Sequence, residues 1–504
     1  MNGEQSHSDR QPRVSLVHHF LDDAAARQPS AIAVRDEEGA WTYRELHEQS
    51  LRVTTWLADH GIGRGDRVLV RLPNSRHMTA LLYGVMRMGA VLVPVSQDMR
   101  PYELSGVLRN AEPTIVITEA SEHVQTSSAV MALTLGEVSR ELDRTAPRHP
   151  TAEVGPSDIA LLLYTSGSTS APRGVVCRHE QVAFAAWGVA DRLGYRADDV
   201  VYCRLPFSFD YGLYQIFLAA LAGCELAVTG RQSELTSLRF AVEYKATVMP
   251  LITPVAQTLV RLGERSGPST RLRLVTNTGA ALSRSVADGL RRVFPGVRVV
   301  PMYGMTECKR ISIARPDADL EHPGTVGTAL SATCVEVLDE DGKPLPAGST
   351  GQIVVHGPHL MDGYWRDPQE SARRFRAHPA TGERCLFTGD YGILDAAGNL
   401  TFVGRRDDIF KRRGVRTSTL EIEAAALDIP EVHEAAAVLT GASRQCVLWV
   451  RGALRDVEVL RGVADRLGPA RLPDRCLVID ALPRTSNGKI DKRGLERSLC
   501  NGER

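Results

Sequence analysis

The chain has 504 residues, 43% hydrophobic and 24% charged, which exceeds what one hydrophobic core usually organises and argues against a disordered or fibrous protein. Its 60 Lys and Arg residues balance 60 Asp and Glu residues, so no global field draws it to nucleic acid or to an anionic membrane. At least two domains are expected, and any anion must be gripped locally.

The first residues, MNGEQSHSDRQPR, are polar and lack the apolar core of a signal peptide. No stretch approaches the roughly 18 uncharged apolar residues of a membrane span. Nine cysteines, odd in number and never spaced as CxxC, suit reduced thiols better than a disulfide framework or a zinc site. A cytoplasmic protein without membrane or nucleic-acid partners is expected.

Short β-branched or Leu-rich runs then alternate with amphipathic helical stretches. The runs are DRVLVRL (66–72), TIVIT (114–118), DIALLLYT (158–165), CELAVTG (224–230), RLRLVTN (271–277) and VRVVPMYG (297–304). The helical pattern is clearest in YRELHEQSLRVTTWLADHG (43–61). This rhythm predicts α/β layers with buried strands. After about residue 335 the pattern changes to alternating strands separated by D-G and A-G turns (335–348, 351–357, 392–404), as in an antiparallel subdomain. Beyond GRRDD (404–408) a charged stretch leads into a compact β/α pattern. The boundary is placed there, giving a domain over 1–404 and a small one over 405–504.

The chemistry starts at Tyr164 to Gly174, YTSGSTSAPRG, directly after the buried run DIALLL. Its small side chains, backbone N–H groups and hydroxyls are what wrapping phosphate oxygens requires. GxxxxGK[ST] does not match, so this is no Walker A loop, and standing alone a Ser/Gly-rich linker would explain it equally well.

Further motifs follow in order: YGMTE (303–307), TGD (388–390), GRRDDIFK (404–411) with Gly414 and Arg416 beyond, and PRTSNGK (483–489). Together with WTYREL and GAVLVPVS near the N-terminus, they make the chain resemble the acyl-adenylate-forming superfamily over nearly its whole length. That superfamily includes acyl-CoA synthetases, nonribosomal peptide adenylation domains and luciferases. The resemblance implies a large α/β N-terminal domain of two α/β layers plus a distorted β-barrel-like subdomain. A small mobile α+β C-terminal domain would follow, with ATP bound between the two domains. The activity implied is that of an AMP-forming acid ligase.

Carried over position by position, the resemblance assigns Thr165, Ser166, Gly167, Ser168, Thr169 and Arg173 to the phosphates. Tyr303 and Gly304, with the turn Gly279, Ala280 and Ala281, go to adenine, and Asp390 and Arg405 to the ribose. Thr306 would bond the α-phosphate and Glu307 would hold Mg²⁺, a hard cation that prefers oxygen, although a Thr-Glu pair after a turn also suits a helix cap. Lys489 would neutralise charge as the substrate carboxylate attacks and pyrophosphate leaves. Asp407 would be the hinge of the mobile domain. Ser170 and Arg173 stand where the family commonly has Gly and Lys, so a planar fork replaces a point charge in handling pyrophosphate.

The acyl substrate is addressed by FDYGLYQI (209–216), which aligns with the family's pocket-entry motif. An acid at the position of Asp210 pairs with a substrate ammonium in members that activate amino acids. The alternative is a helix start capped by Asp210. Lys309 and Arg310 follow YGMTEC; pointing inward they imply a second anion on the substrate, pointing outward they imply nothing. This resembles stand-alone β-amino-acid adenylating enzymes, some of which take aspartate-like acids. Tyr211, Tyr214, Thr276 and Thr278 would be further pocket walls. The leading expectation is activation of an amino or β-amino acid and transfer to the phosphopantetheine thiol of a separate carrier protein, in specialised metabolism. The alternatives are an acyl-CoA ligase using coenzyme A, transfer to a nitrogen nucleophile, and a nucleotide-binding protein without catalysis.

Overall fold

The computed structural model describes residues 16–119, 130–149, 153–165, 172–230, 234–267, 270–279, 282–405, 408–412, 415–441, 444–485 and 490–500. The chain divides into two compact units. One takes Met1–Gln232 with Thr306–Lys309 and Gly357–Arg373; the other takes Ser233–Met305, Arg310–His356 and Arg374–Arg504.

The first unit is built on a seven-stranded sheet. Its strands run, edge to edge, Gly363–Tyr364, Arg173–Arg178, Ile159–Thr165, Val91–Pro94, Arg67–Arg71, Ile115–Thr118 and Met131–Thr134. The central strands are parallel, with Val68 opposite both Leu92 and Ile115. Covered on both faces, such strands read as continuous apolar runs instead of alternating ones. Leu69, Val93, Val116 and Leu162 are all fully buried in one core, each contributing about 1.5–3 kcal/mol by leaving water. A second set places Gly39–Thr42, Ile32–Asp36, Glu225–Val228 and Val200–Cys203 side by side.

Helix Tyr43–Asp59 starts where its sequence says it should. Thr42 accepts from the Glu45 N–H while the Glu45 carboxylate accepts from the Thr42 N–H, a reciprocal capping box. Helix Asp210–Ala222 is apolar nearly all round and buried from Asp210 to Ala220, as expected of a helix inside a core. Gly212 permits this packing, because a Cβ there would lie 2.4 Å from the Leu205 carbonyl oxygen.

The second unit carries three parallel strands, Val248–Leu251, Leu274–Asn277 and Arg298–Tyr303, extended antiparallel by Ser312–Ile313 and Thr328–Ala329. The hairpin-rich stretch forms an antiparallel sheet of Cys334–Leu338, Thr350–His356 and Arg384–Leu394, the last flanked by Phe375–Ala377 and Leu400–Arg405. The final hundred residues give the compact β/α pattern expected. Val432–Thr440, Gln445–Gly452 and Arg475–Val478 form a sheet, joined by helices Thr419–Leu427, Asp456–Leu467 and Lys492–Cys500. Ile422, Leu448, Val450, Val459 and Val463 form its core. Among the described residues no helix is long and apolar enough to cross a membrane. Among the described residues no disulfide joins Cys177, Cys203, Cys224, Cys308, Cys334, Cys385, Cys446 or Cys476 to another.

Candidate active site

The expected site residues fall into two groups, one in each unit. In the first unit, strand Ile159–Thr165 and strand Arg173–Arg178 are antiparallel, with Thr165 opposite Arg173. The loop they bracket, including Ser166, Gly167, Ser168, Thr169 and Ser170, lies outside the described residues. The Arg173 guanidinium is 3.4 Å from both Asp367 and Glu370 and 5.9 Å from the centre of the Tyr364 ring. A planar fork suits a position between two carboxylates and an aromatic face better than an ammonium does.

Residues 306–308 form a turn and no helix follows them, so the capping alternative for Thr306 and Glu307 does not hold. The Glu307 side chain is buried, and its Oε1 accepts from the Tyr364 hydroxyl at 2.6 Å. Its carbonyl accepts from the Met361 N–H at 2.9 Å. Lys309 is 1% exposed and adopts the left-handed region, φ +65°, an uncommon conformation for a long side chain. Its ammonium donates to the Thr306 carbonyl at 3.0 Å and to Cys177 Sγ at 3.3 Å, and lies 6.0 Å from the Tyr214 ring centre.

Asp210 is the first residue of its helix, not the cap; Phe209 holds the cap position without a side-chain hydrogen bond. A carboxylate there is favoured by the helix dipole, yet Asp210 is only 5% exposed. Tyr211 and Tyr214 are buried beside it on the same helix. Cys177 ties this group together. Burial pushes its thiol up, the Lys309 charge opposes that, and Asp210 and Glu307 add to it. One thiol therefore senses three of the residues singled out from sequence. Nothing in the sequence around Cys177 signals that role, and Tyr364 was likewise missed.

In the second unit, Leu274–Asn277 and Arg298–Tyr303 are neighbouring parallel strands, with Thr276 opposite Val300. Gly279 and Gly304 thus lie just past the carboxyl ends of adjacent strands, where α/β sheets bind ligands. Gly279 has φ +87°. Ala280 and Ala281 lie outside the described residues, and Thr276 and Thr278 are buried.

The Tyr303 ring stacks on Phe402, centroids 5.1 Å apart, and its hydroxyl donates to Asp390 Oδ2 at 2.6 Å. The other Asp390 oxygen is 3.6 Å from Arg405 Nε, across an antiparallel pair. The Thr388 hydroxyl accepts from the Asp390 N–H at 3.0 Å and donates to the Ile353 carbonyl at 2.7 Å. Gly389 makes the turn of TGD at φ +74°, where a Cβ would come within 2.7 Å of the Arg374 guanidinium. Arg310 is 5% exposed, so neither basic residue after YGMTEC points to solvent. Asp407 and Lys489 lie outside the described residues.

Two side-chain groups among the described residues have metal-ligating types in reach of one another: His18, His19 and Asp22, and Glu336, His356 and His378. Neither includes Glu307. Asp22 is taken by Arg87. His378 Nδ1 accepts from the Ala380 and Thr381 N–H groups, which puts the proton of a neutral ring on Nε2, the nitrogen facing Glu336. In each group the carboxylate is committed to a hydrogen bond, Asp22 to Arg87 and Glu336 to His356, while His18 Nδ1 and His378 Nε2 have no hydrogen-bond partner among the described residues.

Comparison with known proteins gives the class. Residues 21–365 match the AMP-binding enzyme family and residues 421–489 the AMP-binding enzyme C-terminal domain. The chain belongs to this family and is an AMP-forming acid ligase of the adenylate-forming superfamily.

Among particular relatives, an L-proline:[L-prolyl-carrier protein] ligase of Pseudomonas fluorescens is 28% identical, the match covering 96% of this chain and all of that one. Pyochelin synthetase PchF of Pseudomonas aeruginosa is 32% identical over 84% of this chain, which spans only 24% of it. Of solved structures, VinN is similar at 40% identity and TM-score 0.72, over 77% of this chain and 99% of that one. Its complex with L-aspartate is similar at 38% identity and TM-score 0.70, over 77% and 98%. ATP-bound MatB from Rhodopseudomonas palustris is similar at 25% identity and TM-score 0.85, over 97% and 100%.

Proposed function

We propose that the chain adenylates a small amino dicarboxylic acid of the aspartate kind and then passes the acyl group to the phosphopantetheine thiol of a separate carrier protein. The observation behind this reading is a buried neighbourhood: Asp210 and Lys309 are 5% and 1% exposed, and the Lys309 ammonium lies 6.0 Å from the ring of Tyr214, on the helix that Asp210 begins. An acid and a base that are both held out of water, beside the same helix, are complementary to a substrate that bears an ammonium and a second carboxylate. The likeness to VinN, solved with L-aspartate, supports the same substrate class. The likeness to a prolyl-carrier-protein ligase over its full length supports a carrier protein as acceptor.

The residues present fit ATP and Mg²⁺. Phe402 covers one face of the Tyr303 ring, so adenine would lie on the opposite face. Asp390, held by Tyr303 and by its own turn, would accept from the ribose hydroxyls, with Arg405 beside it. Gly279 to Ala281 would let the base approach backbone. Thr165 to Thr169, Arg173 and Thr306 would hold phosphate oxygens. Glu307 would supply a carboxylate oxygen to Mg²⁺, which when bound offsets phosphate charge. A substrate carboxylate oxygen then forms the bond to the α-phosphorus as the bond to pyrophosphate breaks, and Lys489 neutralises charge on both groups. Residues 405–504 would form the mobile domain, with Asp407 as its hinge.

The test is ATP–pyrophosphate exchange over α-amino, β-amino, dicarboxylic, aryl and fatty acids, followed by competition between carrier protein and coenzyme A. Exchange restricted to amine-free acids, or turnover with coenzyme A alone, would replace this reading with an acyl-CoA ligase.

A further inference from the structure

Tyr364 belongs to none of the motifs read from sequence, yet it touches two of them. Its two-residue strand pairs with the strand that leaves the phosphate loop, Tyr364 opposite Val175 and Gly363 opposite Val176. The Trp365 N–H donates to the Gly174 carbonyl at 2.7 Å, and the Tyr364 N–H donates to Ser371 Oγ at 2.8 Å. The backbone is thus fixed on both sides of the residue. From this base the 8% exposed side chain directs its hydroxyl to Glu307 Oε1 at 2.6 Å, the short distance of a hydrogen bond to an ionised acceptor. Arg173 lies over the ring and is itself held by Asp367 and Glu370.

We infer that Tyr364 is a positioning residue for the divalent cation: it fixes one oxygen of Glu307 by hydrogen bond and so orients the other for the metal. The inference rests on the assignment of Glu307 to Mg²⁺. Mg²⁺ demands near-octahedral geometry and tolerates little displacement of a ligand, and partners that orient a ligating carboxylate typically set metal affinity by about 10–100-fold. A carboxylate held only by its backbone would rotate about its side-chain torsions. The Tyr364 hydroxyl removes that freedom, and Arg173 over the ring links the phosphate loop to the same carboxylate. Arginine at this position, where the family commonly has lysine, accordingly has a structural reason.

The experiment uses the full chain and a non-hydrolysable ATP analogue, with Mn²⁺ as a spectroscopic probe of the cation. Wild type, Tyr364→Phe and Glu307→Gln are titrated with Mn²⁺ by electron paramagnetic resonance, and affinity for the metal-free analogue is measured in parallel. Tyr364→Phe should weaken Mn²⁺ about tenfold and leave affinity for the metal-free nucleotide unchanged. Unchanged Mn²⁺ affinity in Tyr364→Phe with clear loss in Glu307→Gln would overturn the role of Tyr364 alone. Unchanged affinity in both variants would remove Glu307 from the metal and the inference with it. Equal loss of metal-free nucleotide binding would show a merely structural tyrosine and also overturn it.

Discussion

The Tyr303 hydroxyl donates to Asp390 at 2.6 Å, joining two short motifs that lie 87 residues apart. The contact orders an acid that is only 6% exposed and leaves its second oxygen facing Arg405 at 3.6 Å. Tyr303→Phe keeps the ring and its stack on Phe402 but deletes the donor. A hydrogen bond to a charged group is worth roughly 1.5–3 kcal/mol, so KM for ATP should rise at least about tenfold while KM for the acid stays constant. Exchange kinetics with each substrate varied in turn measure both.

On the proposed reading, Lys309 distinguishes substrates with two carboxylates from those with one. Its ammonium is buried against Cys177 and the Thr306 carbonyl, so Lys309→Met removes the charge at similar length. The ratio of kcat/KM for aspartate to that for alanine should fall by about tenfold or more, since a buried charge-assisted contact is worth roughly 1.5–3 kcal/mol. A ratio unchanged in the variant would place the second carboxylate elsewhere.

Acid should destabilise the chain before its carboxylates titrate. Burial pushes His359 and His179 down to about 4 and His18 to about 3. These rings stay neutral in the fold, whereas in the unfolded chain they take protons near the usual 6.5. Their contribution is fully present above that value and is lost as pH falls through 6.5 towards 4. Neither nitrogen of His359 has a hydrogen-bond partner among the described residues, so His359→Leu should lessen the fall in Tm between pH 7 and pH 5. Thermal melts at the two pH values read the difference.

Glu423 and Lys492 form a half-buried ion pair at 2.6 Å in the C-terminal residues. Burial alone would lower the lysine, but Glu423 and Asp408 outweigh it and keep the ammonium charged. Glu423 also accepts from the Ala437 N–H at 2.7 Å. Lys492→Met strands a carboxylate that keeps some access to water, which should cost about 1–3 kcal/mol. Replacing both partners with apolar residues should recover much of that loss, as denaturant melts of the single and double variants would show.

Much of this was legible in sequence because local signals and global packing agree. The amphipathic stretch at 43–61, the apolar central strands and the D-G turns each point to the element observed. Asp210 was harder to place: a carboxylate at a helix start usually caps, and only the burial of the whole helix shows that Phe209 takes that position while Asp210 is drawn inside. Lys309 and Arg310 were undecided for a related reason, since adjacent basic residues carry no record of which way they face. Cys177 and Tyr364 were illegible. Their partners, Lys309 and Glu307, lie 132 and 57 residues away, and no periodicity encodes contacts of that range.

The central claim, that the buried acid and base select an amino dicarboxylic acid for adenylation, is tested most directly by ATP–pyrophosphate exchange with aspartate. Wild type should be compared with Asp210→Ala and Lys309→Met on aspartate, alanine and succinate. The account predicts strong exchange with aspartate and weak exchange with alanine and succinate, the aspartate exchange falling by about tenfold or more in both variants. Equal exchange with succinate, or variants that keep their aspartate activity, would contradict it.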